Sequence, residues 1–226
     1  MTTPLLGIYL TLLAWVIAVQ LRRRTRIALL NPVAVAVALL IVFLQSTGIP
    51  YEAYNIGGAM VSFFLGPAVV AMAVPLYRRR AEVRQHLRPI LASVLAGSLT
   101  GILTAAGTAK LLGATPDIIL SLAPKSVTTP IAIGIVAKTG GIPSLTAAIV
   151  IITGMLGAML GPQFLRLLRL RAPLVLGLAL GAAAHGIGTA RAFEENEQTG
   201  AMSSIAMLLN GLITAVVLPY VLGWIV

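Results

Sequence analysis

Three clusters of arginine divide this chain into long stretches that carry almost no charge. Arg22, Arg23, Arg24 and Arg26 form the first, Arg78, Arg79, Arg80, Arg84 and Arg88 the second, and Arg166, Arg169 and Arg171 the third. Across the 226 residues, 58% are hydrophobic and only 10% charged, with a mean hydropathy of +1.00. A water-soluble domain of this length lacks the polar surface to cover so much apolar side chain, so lipid must be its solvent. The apolar runs are long and do not alternate, which excludes a transmembrane barrel and predicts helices. Sixteen basic residues against six acidic would point a soluble protein toward nucleic acid. Confined to short segments between apolar runs, they instead set orientation in a bilayer, and no nucleic-acid partner is expected. The chain has no cysteine, so disulfides, thiol catalysis and thiolate metal sites are excluded.

The expected fold is an all-α polytopic membrane protein with about seven or eight hydrophobic segments. It is read as a single integral membrane domain, 1–226, in which a first helix (1–28) precedes a first half (29–114) and a second half (115–226). Residues 4–21 match one bilayer crossing and lead into the first arginine cluster, with no signal-peptide cleavage pattern evident. Asn31-Pro32 opens a shorter run that ends at Gln45-Ser46-Thr47-Gly48-Ile49-Pro50. Residues 56–76 are long enough to cross, with a kink expected at Gly66-Pro67. Residues 89–112 form another full span, rich in small residues that permit close packing. From Thr115 the pattern breaks. A short start at 117–122, a polar motif, and 131–137 are each too short to span alone. Residues 145–160 are nearly uniformly apolar and end at Gly161-Pro162. A half-length helix over 174–184 runs into a second polar interruption, and 201–224 form the last span, interrupted at Asn210-Gly211.

Certain words recur in order. Asn31-Pro32, Gly48-Ile49-Pro50, Leu65-Gly66-Pro67, arginines and Gly107-Thr108-Ala109-Lys110 are echoed by Thr129-Pro130, Gly141-Ile142-Pro143, Leu160-Gly161-Pro162, arginines and Gly188-Thr189-Ala190-Arg191. Transporters are often built from such pseudo-repeated halves, with broken hydrophobic segments at the binding site. Topology sets two arguments against each other. Keeping every arginine cluster cytoplasmic requires 115–141 to enter and leave from the outside, as a re-entrant hairpin or two thin crossings. An inverted repeat of the halves would send one cluster outside. The charge rule is followed here, because it rests on many arginines.

Pro124-Lys125-Ser126-Val127-Thr128-Thr129-Pro130 places a full charge and three hydroxyls between two helix-breaking prolines. Such a break survives in a bilayer only against protein or a wet cavity, and an intramembrane lysine is read first as functional. Lys125, Ser126, Thr128 and Thr129 are therefore candidate binding residues. His185, Thr189 and Arg191 form a second candidate group, with Gly186 and Gly188 allowing close backbone approach. Half-helix N-termini near Thr128 and Thr129 would aim amides at an anion. Together they describe a site for a small carboxylate, gripped as a fork if Arg191 takes part. His185 has two readings, a carrier of the coupled proton or a packing histidine bonded to a carbonyl. Arg191 has two as well, an anion ligand or a helix-end anchor. Asp117 has three readings, a helix N-terminal charge, a partner for Lys125 or a cation ligand, of which the first is the plainest, and the acidic 194–197 loop is read as solvated. No catalytic residue, metal ligand or cofactor is expected, and the chain is not read as an enzyme. Paired carboxylates, histidine-rich spacing and a phosphate loop are missing, and Lys125 and Ser126, being adjacent on a helix, diverge by about 100°.

Ser121-Leu-Ala-Pro-Lys-Ser-Val-Thr-Thr-Pro130, Gly140-Gly-Ile-Pro-Ser-Leu-Thr146 and His185-Gly-Ile-Gly-Thr-Ala-Arg191 resemble the LrgB/CidB family. That family's plant relatives include the plastidial glycolate/glycerate translocator. The resemblance implies a multi-pass protein of the bacterial inner membrane with no ATPase of its own. Its implied function is either carriage of small monocarboxylates or antiholin-like regulation of murein hydrolase export and cell lysis. A smaller LrgA/CidA-like holin-type partner is implied by the second. The family's serine before the histidine is Ala184 here, which removes one hydroxyl ligand. The residues favour a carrier of glycolate-, glycerate- or pyruvate-like anions working by alternating access, with proton coupling through His185. A homodimer is expected.

Overall fold

The computed structural model describes residues 4–25, 30–64, 67, 70–71 and 73–225, and every regular element among them is helical. The chain packs as two compact units, Met1–Ala73 and Val74–Val226.

The first unit holds α1 (Pro4–Thr25), α2 (Pro32–Thr47) and α3 (Tyr51–Phe63). Asn31 caps α2 by accepting from Val33 N at 2.8 Å, with Pro32 in the first turn, as Asn-Pro before an apolar run predicts. Gly48 ends α2 in the left-handed conformation, φ 67°. α1 and α3 run antiparallel at close range: a Cβ on Gly7 would lie 2.2 Å from Tyr54 O, and one on Gly57 2.1 Å from Pro4 O. Only glycine permits that approach. The kink expected at Gly66-Pro67 lies outside the described residues.

The second unit holds α4 (Ala73–Arg78), α5 (Arg80–Gln85), α6 (Leu87–Leu111), α7 (Pro116–Leu122), α8 (Thr129–Thr139), α9 (Pro143–Leu167), α10 (Pro173–Glu195) and α11 (Glu197–Ile225). Its two ends differ in chemistry. Glu82 of α5 accepts from Gln198 at the start of α11, and Arg166 of α9 pairs with Glu195. The second and third arginine clusters therefore share one end. At the other end Ile102, Ala106 and Ala109 of α6 pack with Ile119, Ala123, Ile135, Leu218 and Leu222.

Two hairpins enter this unit from opposite ends. The first is α7, a turn, and α8. After the turn the chain comes back beside α7, where Ser121 Oγ accepts from Ile142 N at 2.7 Å and Ser121 O accepts from Thr146 Oγ1 at 3.0 Å. Eleven residues of α8 rise only ~16 Å, about half a bilayer core. The 115–141 region is therefore a hairpin of two short helices that leaves by the end at which it enters.

The second hairpin is α10 itself. His185, at φ 42° and ψ −132°, is non-helical inside it, and the two halves fold against one another. Leu176 and Leu180 pack with Ala192, and a Cβ on Gly188 would lie 2.5 Å from Leu180 O. The chain thus returns to the arginine-rich end, and α11 then sets out parallel to the first half of α10. Gly177 lies against Thr199 O and Gly181 against Ser203 O.

By length and apolarity alone α1, α6, α9, α10 and α11 can each cross a membrane, with α2 and α8 as shorter apolar helices. Length misleads for α10, which doubles back. Two expected stops are not stops. α9 continues through Pro162 to Leu167, because one lost backbone bond is tolerated in a packed apolar helix. α11 is continuous through Asn210-Gly211. Within 116–225 a hairpin is followed by a long helix at two places, α7–α8 by α9 and the two halves of α10 by α11.

Candidate functional site

The tip of the first hairpin is built by its prolines. Lys125 N bonds Leu122 O at 3.1 Å and Val127 N bonds Pro124 O at 3.3 Å, a tight helical turn past the end of α7. Thr128 is then extended, φ −65° and ψ 146°, and serves as the N-cap of α8 with Pro130 in the first turn. Pro130 has no N–H to lose at a helix start, and its fixed φ suits the first turn. α8 therefore begins at Thr129, where the sequence places a half-helix N-terminus.

Lys125 and Ser126 line a cavity of about 570 Å³ whose walls are α6 and the first half of α10. The lining runs from Ser93 and Val175, near the arginine-rich ends of those helices, through Thr100 and Thr104 to Lys125 and Ser126 at the hairpin tip. Beyond the tip, toward the other end, lies the apolar cluster around Ala106, Ile119 and Leu218. The cavity is thus a cleft between α6 and α10 that runs from near the arginine-rich end to the hairpin tip. Its volume suits a small organic ligand with surrounding water. The Lys125 ammonium is half-buried and has Ser126 Oγ at 3.4 Å. Among the described residues no carboxylate pairs with it. A desolvated cation without a counterion is a strong attractor for an anion.

The second candidate group lies at and beyond the other hairpin tip. His185 is buried, and its Nε2–H donates to Val150 O at 2.9 Å, the packing contact that was one of its two readings. Gly154 makes room for the ring, since a Cβ there would lie 2.6 Å from Cε1 of His185. Thr189 donates to His185 O at 2.8 Å and lies 3.0 Å from Ser203 Oγ, tying α10 to α11. Gly186 follows the turn, and Gly188 closes on Leu180. Arg191 is drawn to the arginine-rich end, paired with Glu194 at 3.3 Å and Glu195 at 2.5 Å. Of the nine candidates, the cavity brings together Lys125 and Ser126. Thr128 and Thr129 follow in the same tip, and His185, Gly186, Gly188, Thr189 and Arg191 are not among its lining residues. Asp117 stands in the first turn of α7, the place of a helix N-terminal charge. No group of three or more His, Cys, Asp or Glu side chains comes together among the described residues.

His185 sits where L-residues are strained and glycine is not. Both His185→Gly and His185→Ala lose the bond to Val150, but only glycine relieves the backbone. The glycine variant is expected to unfold at the higher temperature in detergent, by a margin of about 1 kcal/mol. Equal midpoints would show that the turn is not under strain.

Asn210 was legible only as a supposed break. It is fully buried, and its Nδ2 donates to Ser126 O and to Ala182 O, each at 3.0 Å. It contacts both hairpins and sits directly behind the cavity. The available signal was an amide flanked by apolar residues, Leu208-Leu209 before it and Leu212-Ile213 after it.

Comparison with known proteins agrees with the reading of the motifs. An uncharacterized Bacillus subtilis (strain 168) protein, YxaC, is 41% identical over 202 residues, covering 89% of this chain and 88% of its own length. A second from the same organism, the uncharacterized protein YwbG, is 36% identical over 220 residues, 97% of this chain and 98% of its own. No solved structure matches the chain. The LrgB-like family profile matches residues 11–224, nearly the whole of this membrane protein, and the chain belongs to that family.

Proposed function

We propose that this protein is a secondary carrier of small monocarboxylates of the glycolate, glycerate and pyruvate kind, working by alternating access. The observation that carries the reading is Lys125, a cation with no carboxylate partner among the described residues, at the tip of a hairpin lining a cavity of about 570 Å³. The ammonium supplies the carboxylate contact, and the Ser126, Thr100 and Thr104 hydroxyls supply partners for a 2-hydroxy or 2-oxo group. Oppositely directed hairpins with tips near the middle of the unit are the architecture in which a carrier exposes one site to either side in turn. By the positive-inside rule the arginine-rich end faces the cytoplasm, so the cavity is open inward in this state. A lysis regulator acting only through helix packing has no use for such a cleft. Proton coupling belongs to the same proposal, with His185 as the titratable group at the second tip. The test is uptake of labelled glycolate and pyruvate into proteoliposomes, with and without a pH gradient. Saturable uptake that the gradient accelerates is expected. Absent or unsaturable flux would overturn the carrier reading.

A further inference from the structure

Each hairpin tip leaves a backbone carbonyl without its helical partner. The amide that would bond Ser126 O belongs to Pro130, which has no N–H. The one that would bond Ala182 O belongs to Gly186, beyond the non-helical His185. Both carbonyls receive their hydrogen from a single amide nitrogen, Asn210 Nδ2, at 3.0 Å. Ser126 and Ala182 both line the cavity. The Asn210 side-chain oxygen is buried with no protein partner among the described residues, so toward the two tips the group acts as a double donor.

We propose that Asn210 is the positioning residue that joins the two hairpin tips into one moving gate, its paired bonds holding the state open toward the arginine-rich end. This rests on the carrier reading. Neither tip can leave α11 alone without stranding a carbonyl where water is scarce, so the tips shift together. Aspartate, though isosteric, would set an acceptor against two acceptors.

The chain has no cysteine, so a single introduced thiol reports without background. Ala179→Cys in the cavity wall would be labelled with a membrane-impermeant maleimide from each face of oriented vesicles. In the parent, labelling from the arginine-rich face is expected. Asn210→Ala should slow it by about fivefold or more and raise labelling from the opposite face, with Asn210→Ser, which keeps one donor, in between. Thr214→Val, which removes the buried bond of 3.0 Å to Ser98 one turn along the same helix, should leave both rates unchanged. Parent-like rates in Asn210→Ala, or in Asn210→Ser should the alanine variant not insert, would overturn the proposal while leaving the carrier reading standing. A parent thiol unlabelled from either face would overturn both.

Discussion

Lys125→Ala is expected to lower saturable monocarboxylate uptake by about a hundredfold while the protein inserts and folds normally. The magnitude follows from the loss of a charge-assisted contact in a partly desolvated site, where removing one partner of an ion pair costs roughly 2–5 kcal/mol. The loss should fall mainly on apparent affinity, since the ammonium meets the carboxylate in the ground state as well as in transit. Folding should be indifferent or improve slightly. The cation has no carboxylate partner among the described residues and only Ser126 Oγ at 3.4 Å, so its removal relieves desolvation and breaks no ion pair. Lys125→Arg keeps the charge but changes its shape and reach, and should retain part of the uptake. Arg191→Ala is the contrast. Arg191 is held by Glu194 and Glu195, so its loss should leave substrate affinity unchanged. Uptake by Lys125→Ala at the parent's affinity would remove the lysine from the site.

Parts of this architecture were legible because they rest on single residues with strong backbone preferences. Pro124 and Pro130 mark the first hairpin tip, Asn31-Pro32 opens α2, and the left-handed Gly140 closes α8 at φ 94°. The second reversal was half-legible. The polar interruption at 184–191 was visible, but no proline or φ-permissive residue stands at the turn. A histidine takes that conformation because Val150 and Gly154 of α9 hold its ring, a constraint from a distant helix. Arg191 looked available to a ligand because Glu194 and Glu195 read as a solvated loop; folding back of α10 brings that loop to Arg166 and turns it into an ion-pair cluster. Asn210 read as a helix break because its partners, the stranded carbonyls of two other segments, exist only in the assembled unit. The hairpin of α7 and α8 and the folded α10 each leave by the end at which they enter, so both arginine clusters of 74–226 stand at one end.

Close approach of α10 and α11 is what the hairpin geometry depends on, and Gly181→Val should break it. A Cβ at Gly181 would stand 2.1 Å from Ser203 O and 2.9 Å from the Ala206 Cβ. Backbone cannot yield as a side chain tip does, so the helices must part. In lipid little hydrophobic force draws them together again, since helix association there depends on packing itself. The separation would also strain the contacts on either side, Thr189 with Ser203 and Asn210 with Ala182. A loss of about 3 kcal/mol or more is expected, at the upper end for overpacking. It would be read as a fall in the temperature at which the detergent-solubilised protein leaves its monodisperse peak. Gly107→Ala is the matched control. It lies inside α6 with nothing within 4 Å of the added Cβ, and helix propensity alone should stabilise it by roughly 0.5–1 kcal/mol. If both variants shifted alike, Gly181 would be acting through backbone propensity, and the parallel packing of α10 on α11 would not be what holds the second hairpin in place.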